Sequence, residues 1–244
     1  MTKTIGIIGY GHFGQFIELI SKKYFPEVNI KIASRSREND GKKFFDLNEV
    51  LKSDAIFLTM PIRHLAKTIA DIAPKISNDT ILVDVATIKE LPESEIKKYP
   101  NLKYICTHPM FGPTSYEKIG QKLDGLKLVL TSHNLNIKEY EALKIILIEK
   151  LKLDLVEMSS KEHDKLIAKT LFLTHFISQS ILRTGYGRTN IDTLSHSFLM
   201  SAVESVKNDT ELFKDVYKYN KYCQQVAANF ADAVQQLETE LDRD

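Results

Sequence analysis

Short apolar, β-branched runs recur along the first two thirds of the chain, at 4–8, 28–33, 55–60, 80–85, 103–107, 127–131 and 153–157. Between several of them, at about 12–24, 63–75 and 136–151, apolar residues return every three or four positions. Continuous apolar runs read as strands buried on both faces, and their alternation with helical segments predicts βαβ units around a parallel sheet. Every proline, from Pro26 to Pro113, falls in this part of the chain, at the boundaries of these segments.

After Met158 the pattern changes. No proline follows, and the apolar residues keep helical spacing to the end, which predicts an all-helical second part. Ser159 or Ser160 is suited to cap a helix with Glu162 and Asp164 in its first turn, and that helix is expected to run past His175. Gly185-Tyr186-Gly187 breaks it. A last helix over about 209–241 carries Leu212, Val216, Tyr219, Cys223, Val226, Phe230, Val234, Leu237 and Leu241 on one stripe. The expected division is therefore 1–158 and 159–244. Three or four helices of this length enclose a thin core, which predicts packing on the first domain and a homodimer through the helical domain.

Bulk properties narrow the partners. With 43% hydrophobic and 27% charged residues the chain has the composition of a soluble globular protein. Lys and Arg number 33 against 32 Asp and Glu, so no overall field draws it to nucleic acid or to an anionic membrane. Cys106 and Cys223 have no metal-ligand spacing and are too few for a disulfide framework, which favours a reducing, cytoplasmic compartment and no metal. The first eight residues already read as a strand, so a signal peptide is not expected. No apolar run approaches the ~20 residues of a membrane-spanning helix.

The first strand runs into Gly9-Tyr-Gly11-His-Phe-Gly14 and then a helix. Gly9 allows a tight turn, Gly11 lets backbone approach a pyrophosphate, and Gly14 lets helix and strand pack closely. The anion would meet the free N–H groups at the helix start. This is the dinucleotide fingerprint, and it makes the first domain a doubly wound α/β domain of Rossmann type. His12 and Phe13 in the loop, and Met60 and Pro61 after the third strand, complete the expected cofactor contacts. An acidic residue about 20 positions beyond the glycines would bind the ribose 2′-OH of NAD. Instead the second strand leads into Ser34-Arg35-Ser36-Arg37, whose hydroxyls and guanidiniums suit a 2′-phosphate. The expected cofactor is NADP.

Ligands of such sheets lie outside the carboxyl ends of the strands. Two residues are expected there: Thr87, after Asp84-Val-Ala, and His108, in Thr107-His-Pro-Met-Phe-Gly-Pro113. A neutral imidazole beside a nicotinamide is suited to accept the proton of an alcohol under oxidation.

Taken together, Ile5-Gly-Ile-Ile-Gly-Tyr-Gly-His-Phe-Gly-Gln-Phe16, Ser34-Arg-Ser36, Asp84-Val-Ala-Thr-Ile-Lys89, Thr107 to Pro113 with Ser115, Val156-Glu-Met-Ser159 with Glu162-His-Asp164, and Thr174-His175 resemble the prephenate/arogenate dehydrogenase family of tyrosine biosynthesis. Ala202-Val-Glu-Ser and Tyr217-Lys-Tyr-Asn220 add to the likeness, which is greatest to the plant-like arogenate dehydrogenase branch. The resemblance implies oxidative decarboxylation of a cyclohexadienyl acid: arogenate to tyrosine, or prephenate to 4-hydroxyphenylpyruvate. It implies that His108 is the catalytic histidine, with Thr87 in the place of a serine that assists it. It further implies that His175, Gly112 and Ser115 contact the substrate. Glu204 aligns near an arginine that holds a carboxylate in prephenate-type members, and an acid there favours the amino group of arogenate. Two other readings stay open: a short two-domain NADP-dependent reductase of the imine or deazaflavin type, and a non-catalytic NADP-binding protein.

Overall fold

A computed structural model describes residues 3–243, which divide into two compact units at Lys161/Glu162. Seven strands form a single sheet in the first unit: β1 (Thr4–Ile8), β2 (Asn29–Ala33), β3 (Ala55–Leu58), β4 (Ile81–Asp84), β5 (Lys103–Pro109), β6 (Lys127–His133) and β7 (Asp154–Glu157). Their order is β2-β1-β3-β4-β5-β6-β7. All neighbours are parallel except β5 and β6, which run antiparallel. The sheet is the mixed, mostly parallel Rossmann type, and β1 lies at the point where strand order reverses.

Helices cover both faces. On one, Leu65, Ile69 and Ile72 of α3 (Leu65–Ile72) and Ile96 of α4 (Glu90–Ile96) pack with Ile56, Leu58, Leu82 and Cys106; α2 (Leu47–Val50) adds Val50. On the other, Phe16 and Ile17 of α1 (His12–Tyr24) lie with Leu147, which follows α6 (Ile137–Ile145) in a π-helical turn, Ile146–Lys150. An apolar cavity of about 160 Å³ lies on this second face, lined by Ile105, Thr107, Pro109, Phe16 and Leu147 among others.

The sheet is of the parallel type expected from the sequence except for this one antiparallel step, whose cause lies in the connection. After β5, Phe111 packs edge-on against Phe16, with ring centroids 6.1 Å apart, and Tyr116 of α5 (Pro113–Lys118) does the same at 5.3 Å. Those contacts hold the connection at the carboxyl end of the sheet, where β6 re-enters beside β5 and pairs Leu128 with Pro109. The extra partner also lengthens β5: His108, expected just beyond the strand, lies within it opposite Val129. A bulge interrupts the ladder between Cys106 and Thr107.

The second unit is helical. It comprises α7 (Ser160–Ile167), whose first two residues close the preceding unit, then a π-helical turn Ala168–Phe172, α8 (Leu173–Thr184), α9 (Leu194–Val206), α10 (Thr210–Tyr219) and α11 (Cys223–Leu241). Gly185 ends α8 in the left-handed region, at φ 77°. The single helix expected over 209–241 is two. Asn220, 1% exposed, leaves helical geometry with ψ 102°, donates from Nδ2 to Asp164 O at 2.7 Å and accepts from Tyr222 N at 3.1 Å. A side chain that satisfies one buried carbonyl and one turn N–H outweighs continuation of the helix, which a stripe of apolar residues alone does not reveal. Among the described residues no helix is long and apolar enough to cross a membrane.

Asn220→Ala leaves the Asp164 carbonyl without this donor, so it is expected to destabilise the protein by about 1–3 kcal/mol in urea unfolding. Wild-type stability in that variant would contradict the role given to the side chain.

Candidate active site

The glycine turn is built at the carboxyl end of β1 by three backbone constraints. Gly9 sits at φ 103° and gives its N–H to Ala33 O at 2.9 Å, tying the turn to the end of β2. Gly14 has no space for a side chain, because a Cβ would stand 2.3 Å from Gly9 O and 2.9 Å from Thr59 Oγ1. Around Gly11, by contrast, a Cβ would meet nothing within 4 Å. The first turn of α1 has neither a capping side chain nor an acid, so its N–H groups face an open cradle suited to a pyrophosphate. His12 is exposed at its rim and Phe13 is half-buried.

Thr59 was not singled out in the sequence, yet it joins the strands here. Its hydroxyl donates to Gly9 O at 2.8 Å and lies 3.1 Å from Ile8 O. Met60 follows against the turn, its N–H 3.1 Å from where a Gly9 Cβ would be, and exposed Pro61 leads into the next helical turn. A threonine after an apolar run carries no local signal of such a contact.

At the end of β2, Ser34 Oγ lies 3.1 Å from Ser36 Oγ and accepts from Ser36 N at 3.3 Å, so both hydroxyls face one small turn. Arg35 and Arg37 are exposed beside it. The next bend is fixed by Asp40, whose Oδ1 accepts from the N–H groups of Lys43, Lys42 and Phe44, and these hold its carboxyl down at about 2.

His108 and Thr87 stand at the ends of adjacent segments. Ile105, Thr107 and Pro109 alternate onto the cavity face, so His108, 6% exposed, points to the opposite face, where Cys106 and the end of β4 lie. The Thr87 segment leaves the sheet after Asp84 and returns at Lys89, and both of those residues are fully buried. Lys89 Nζ pairs with Asp84 Oδ2 and also donates to Thr107 O at 2.5 Å; Asp84 Oδ1 accepts from Ala86 N at 3.0 Å, and Thr107 Oγ1 donates to Asp84 O at 2.9 Å. A buried lysine is rare without a paired acid. In the sequence Asp84 and Lys89 are only the two ends of Asp84-Val-Ala-Thr-Ile-Lys89, and their pairing emerges only when β4 and β5 lie side by side. The Cys106 thiol, opposite Asp84 in the ladder, is pushed well up by burial and then by the Asp84 charge, so it is no nucleophile.

Gly112 precedes α5 in extended geometry, and Ser115 Oγ accepts from Gly112 N at 2.8 Å, closing the first turn. The Ser115 hydroxyl is thus engaged by backbone. Met110 between them and the sheet is exposed, whereas Phe111 is buried.

In the helical unit, His175 is 4% exposed and stacked on Phe213 with planes 5° apart. Its Nδ1 lies 2.8 Å from Leu171 O, which fixes the proton there, while buried Nε2 has no hydrogen-bond partner among the described residues and stands 3.8 Å from Asp209 Oδ2. Glu204 is exposed. Arg188 Nε and Nη2 hold its two oxygens at 2.7 and 3.1 Å, and this pairing lowers the carboxyl's pKa. Arg183 donates to Gln179 O at 2.6 Å. His163 and Asp164 form a buried pair at 2.8 Å, anchored by Asn220. Among the described residues no group of three His, Cys, Asp or Glu is arranged to hold a metal.

The family described as "Prephenate dehydrogenase, nucleotide-binding domain" matches residues 31–151, and a "TYRAAT1-like, C-terminal domain" family matches 181–244. Arogenate dehydrogenase 1, chloroplastic, of Arabidopsis thaliana is 28% identical over 97% of this chain and 39% of its own length; arogenate dehydrogenase 2 is 27% identical over 88% and 63%. The chain thus spans less than two thirds of the length of either relative. The fold matches prephenate dehydrogenase from A. aeolicus in complex with hydroxyphenyl propionate and NAD+, with a TM-score of 0.74, 16% identity, and coverage of 100% of this chain and 92% of the other.

The Asp40 bend yields a test of the cofactor-side loop. A carboxyl held at about 2, against ~3.9 in an unfolded chain, contributes stability that is complete above the higher value and is lost as pH falls through the lower. Thermal unfolding of Asp40→Ala and wild type is expected to differ by a constant amount above pH ~4 and to converge between pH ~4 and 2. Parallel curves through that range would reject this account.

Proposed function

This chain belongs to the prephenate/arogenate dehydrogenase family, and from that footing we propose that it catalyses the NADP-dependent oxidative decarboxylation of arogenate to tyrosine. The reading is carried by one juxtaposition: an imidazole, His108, at the carboxyl end of the sheet whose first turn is an open dinucleotide cradle.

The nicotinamide, when bound, supplies the acceptor for a hydride from the carbinol carbon of the substrate ring. His108 holds the hydroxyl proton as that carbon becomes carbonyl-like, a service worth roughly 10²–10⁴-fold in rate. The bond to the ring carboxylate breaks, its electron pair enters the ring, and CO2 leaves; the proton returns to what is then a phenol. Thr87 is the hydroxyl assigned to orient His108. On the helical unit, Nε2 of His175 offers a buried acceptor to a substrate N–H or O–H, since its other nitrogen is committed to Leu171 O. Gly112 and Ser115 are assigned to shaping the site rather than donating to the ligand, because the hydroxyl is held by its own helix start.

Support for NADP comes from the Ser34–Ser36 hydroxyls with Arg35 beside them, and from the absence of an acid in that turn. For arogenate, the Arg188–Glu204 pair offers an acid to an ammonium and a guanidinium to a carboxylate, the two charges that an amino acid carries. Both Arabidopsis relatives carry arogenate dehydrogenase as their name. The helical unit also exposes Leu194, Phe198, Leu237 and Leu241, which supports self-association through that unit.

Reduced-cofactor absorbance with NADP+ or NAD+ crossed against arogenate or prephenate tests the reading. NADP+ with arogenate is expected to give the highest kcat/KM, and His108→Asn to lower kcat by 10² or more while cofactor affinity persists. Undiminished turnover in that variant would exclude the proton role, and a preference for NAD+ or prephenate would overturn the finer assignment. Light scattering on the eluting protein is expected to give twice the mass of 27.9 kDa; a monomer at micromolar concentration would reject self-association.

A further inference from the structure

Asp84 and Lys89 are both wholly buried charges, and their location is more informative than their pairing. The β4–β5 ladder stops at Asp84 opposite Cys106, while β5 continues to Pro109 with β6 alone beside it. Beyond that point Thr107 O faces a side of the strand where β4 no longer runs. The Lys89 ammonium takes the missing strand's place as donor at 2.5 Å. Thr107 Oγ1 returns the link to Asp84 O at 2.9 Å, and Asp84 Oδ1 holds Ala86 N at 3.0 Å. One ion pair therefore ties the segment that carries Thr87 to the residue immediately before His108. On the other side of β5, β6 pairs with Thr107, His108 and Pro109 beyond a bulge at Cys106/Thr107.

Stability alone is a poor account of such a pair. Burying two charges carries a desolvation cost that their attraction only partly repays, and neutral replacements of similar volume are often equally stable. We infer that Asp84 and Lys89 are positioning residues: they set the distance and orientation between Thr87 and His108 at the carboxyl end of the sheet. The inference rests on the proposed proton role of His108, and neither residue touches substrate or cofactor in it. A displacement of about 1 Å at a reacting group is enough to cost on the order of 10²-fold in rate.

The test is the double variant Asp84→Asn/Lys89→Met, which removes both charges together. Its melting temperature and its affinity for NADP+ are expected to stay near wild type, with KM little changed and kcat lower by on the order of 10²-fold. A pair that only stabilised the fold would leave kcat intact once stability is restored, so wild-type kcat in the folded double variant would overturn the inference. A second readout needs no turnover. In histidine-labelled protein, the His108 NMR signal, identified by its loss in His108→Asn, is expected to shift in position and titration, while those of His163 and His175 in the other unit stay fixed; an unmoved His108 signal would overturn the inference. Should the double variant fail to fold, Thr107→Val removes a single link. It is expected to lower kcat about tenfold, with Thr107→Ser restoring it, and full activity in Thr107→Val would count against the inference. If wild type oxidises neither substrate, the proposed function fails, and the NMR signal alone decides whether the pair positions His108.

Discussion

A parallel sheet runs out of backbone partners at the carboxyl ends of its strands, and in this protein side chains make up the deficit. Thr59 donates to Gly9 O where β1 gives way to the glycine turn. Lys89 donates to Thr107 O where β4 has stopped and β5 goes on. Asp84 makes the second of these possible, because an ammonium with no exposure needs a compensating charge. The glycine turn and the segment before His108 are therefore held by hydrogen bonds that lie outside the regular ladder.

The helical unit also relies on side-chain hydrogen bonds to backbone. Asn220 reaches across the sequence to Asp164 O, and His163 pairs with the carboxylate of its neighbour Asp164. Around them Phe172 stacks on Phe213 and Tyr217, each at 5.7 Å. His175 differs from these. One nitrogen is anchored to its own helix, and the other has no hydrogen-bond partner among the described residues.

Most of the sheet was legible because strands buried on both faces are written as unbroken apolar runs, and the glycine turn because Gly9 and Gly14 answer to backbone geometry alone. His108 and Thr87 could be named from their place after such runs. The antiparallel β6 could not be read, since an apolar run carries no direction; the deciding contacts are Phe111 and Tyr116 on Phe16, distant in sequence. The same holds for Asn220, whose interruption of the last helix depends on a carbonyl 56 positions away. Lys89 illustrates the limit most clearly. In sequence it is one of many lysines, and only its complete burial against Asp84 sets it apart.

The π-helical turn at Ala168–Phe172 carries one residue more than an α-helical path would between the same endpoints. One residue in an α-helix is about 100° of rotation. Loss of a single residue from this turn would leave the helix intact yet swing His175 a quarter-turn or more away from Phe213 and Asp209. The phase of α8 is thus written in the chain's length as well as in its composition.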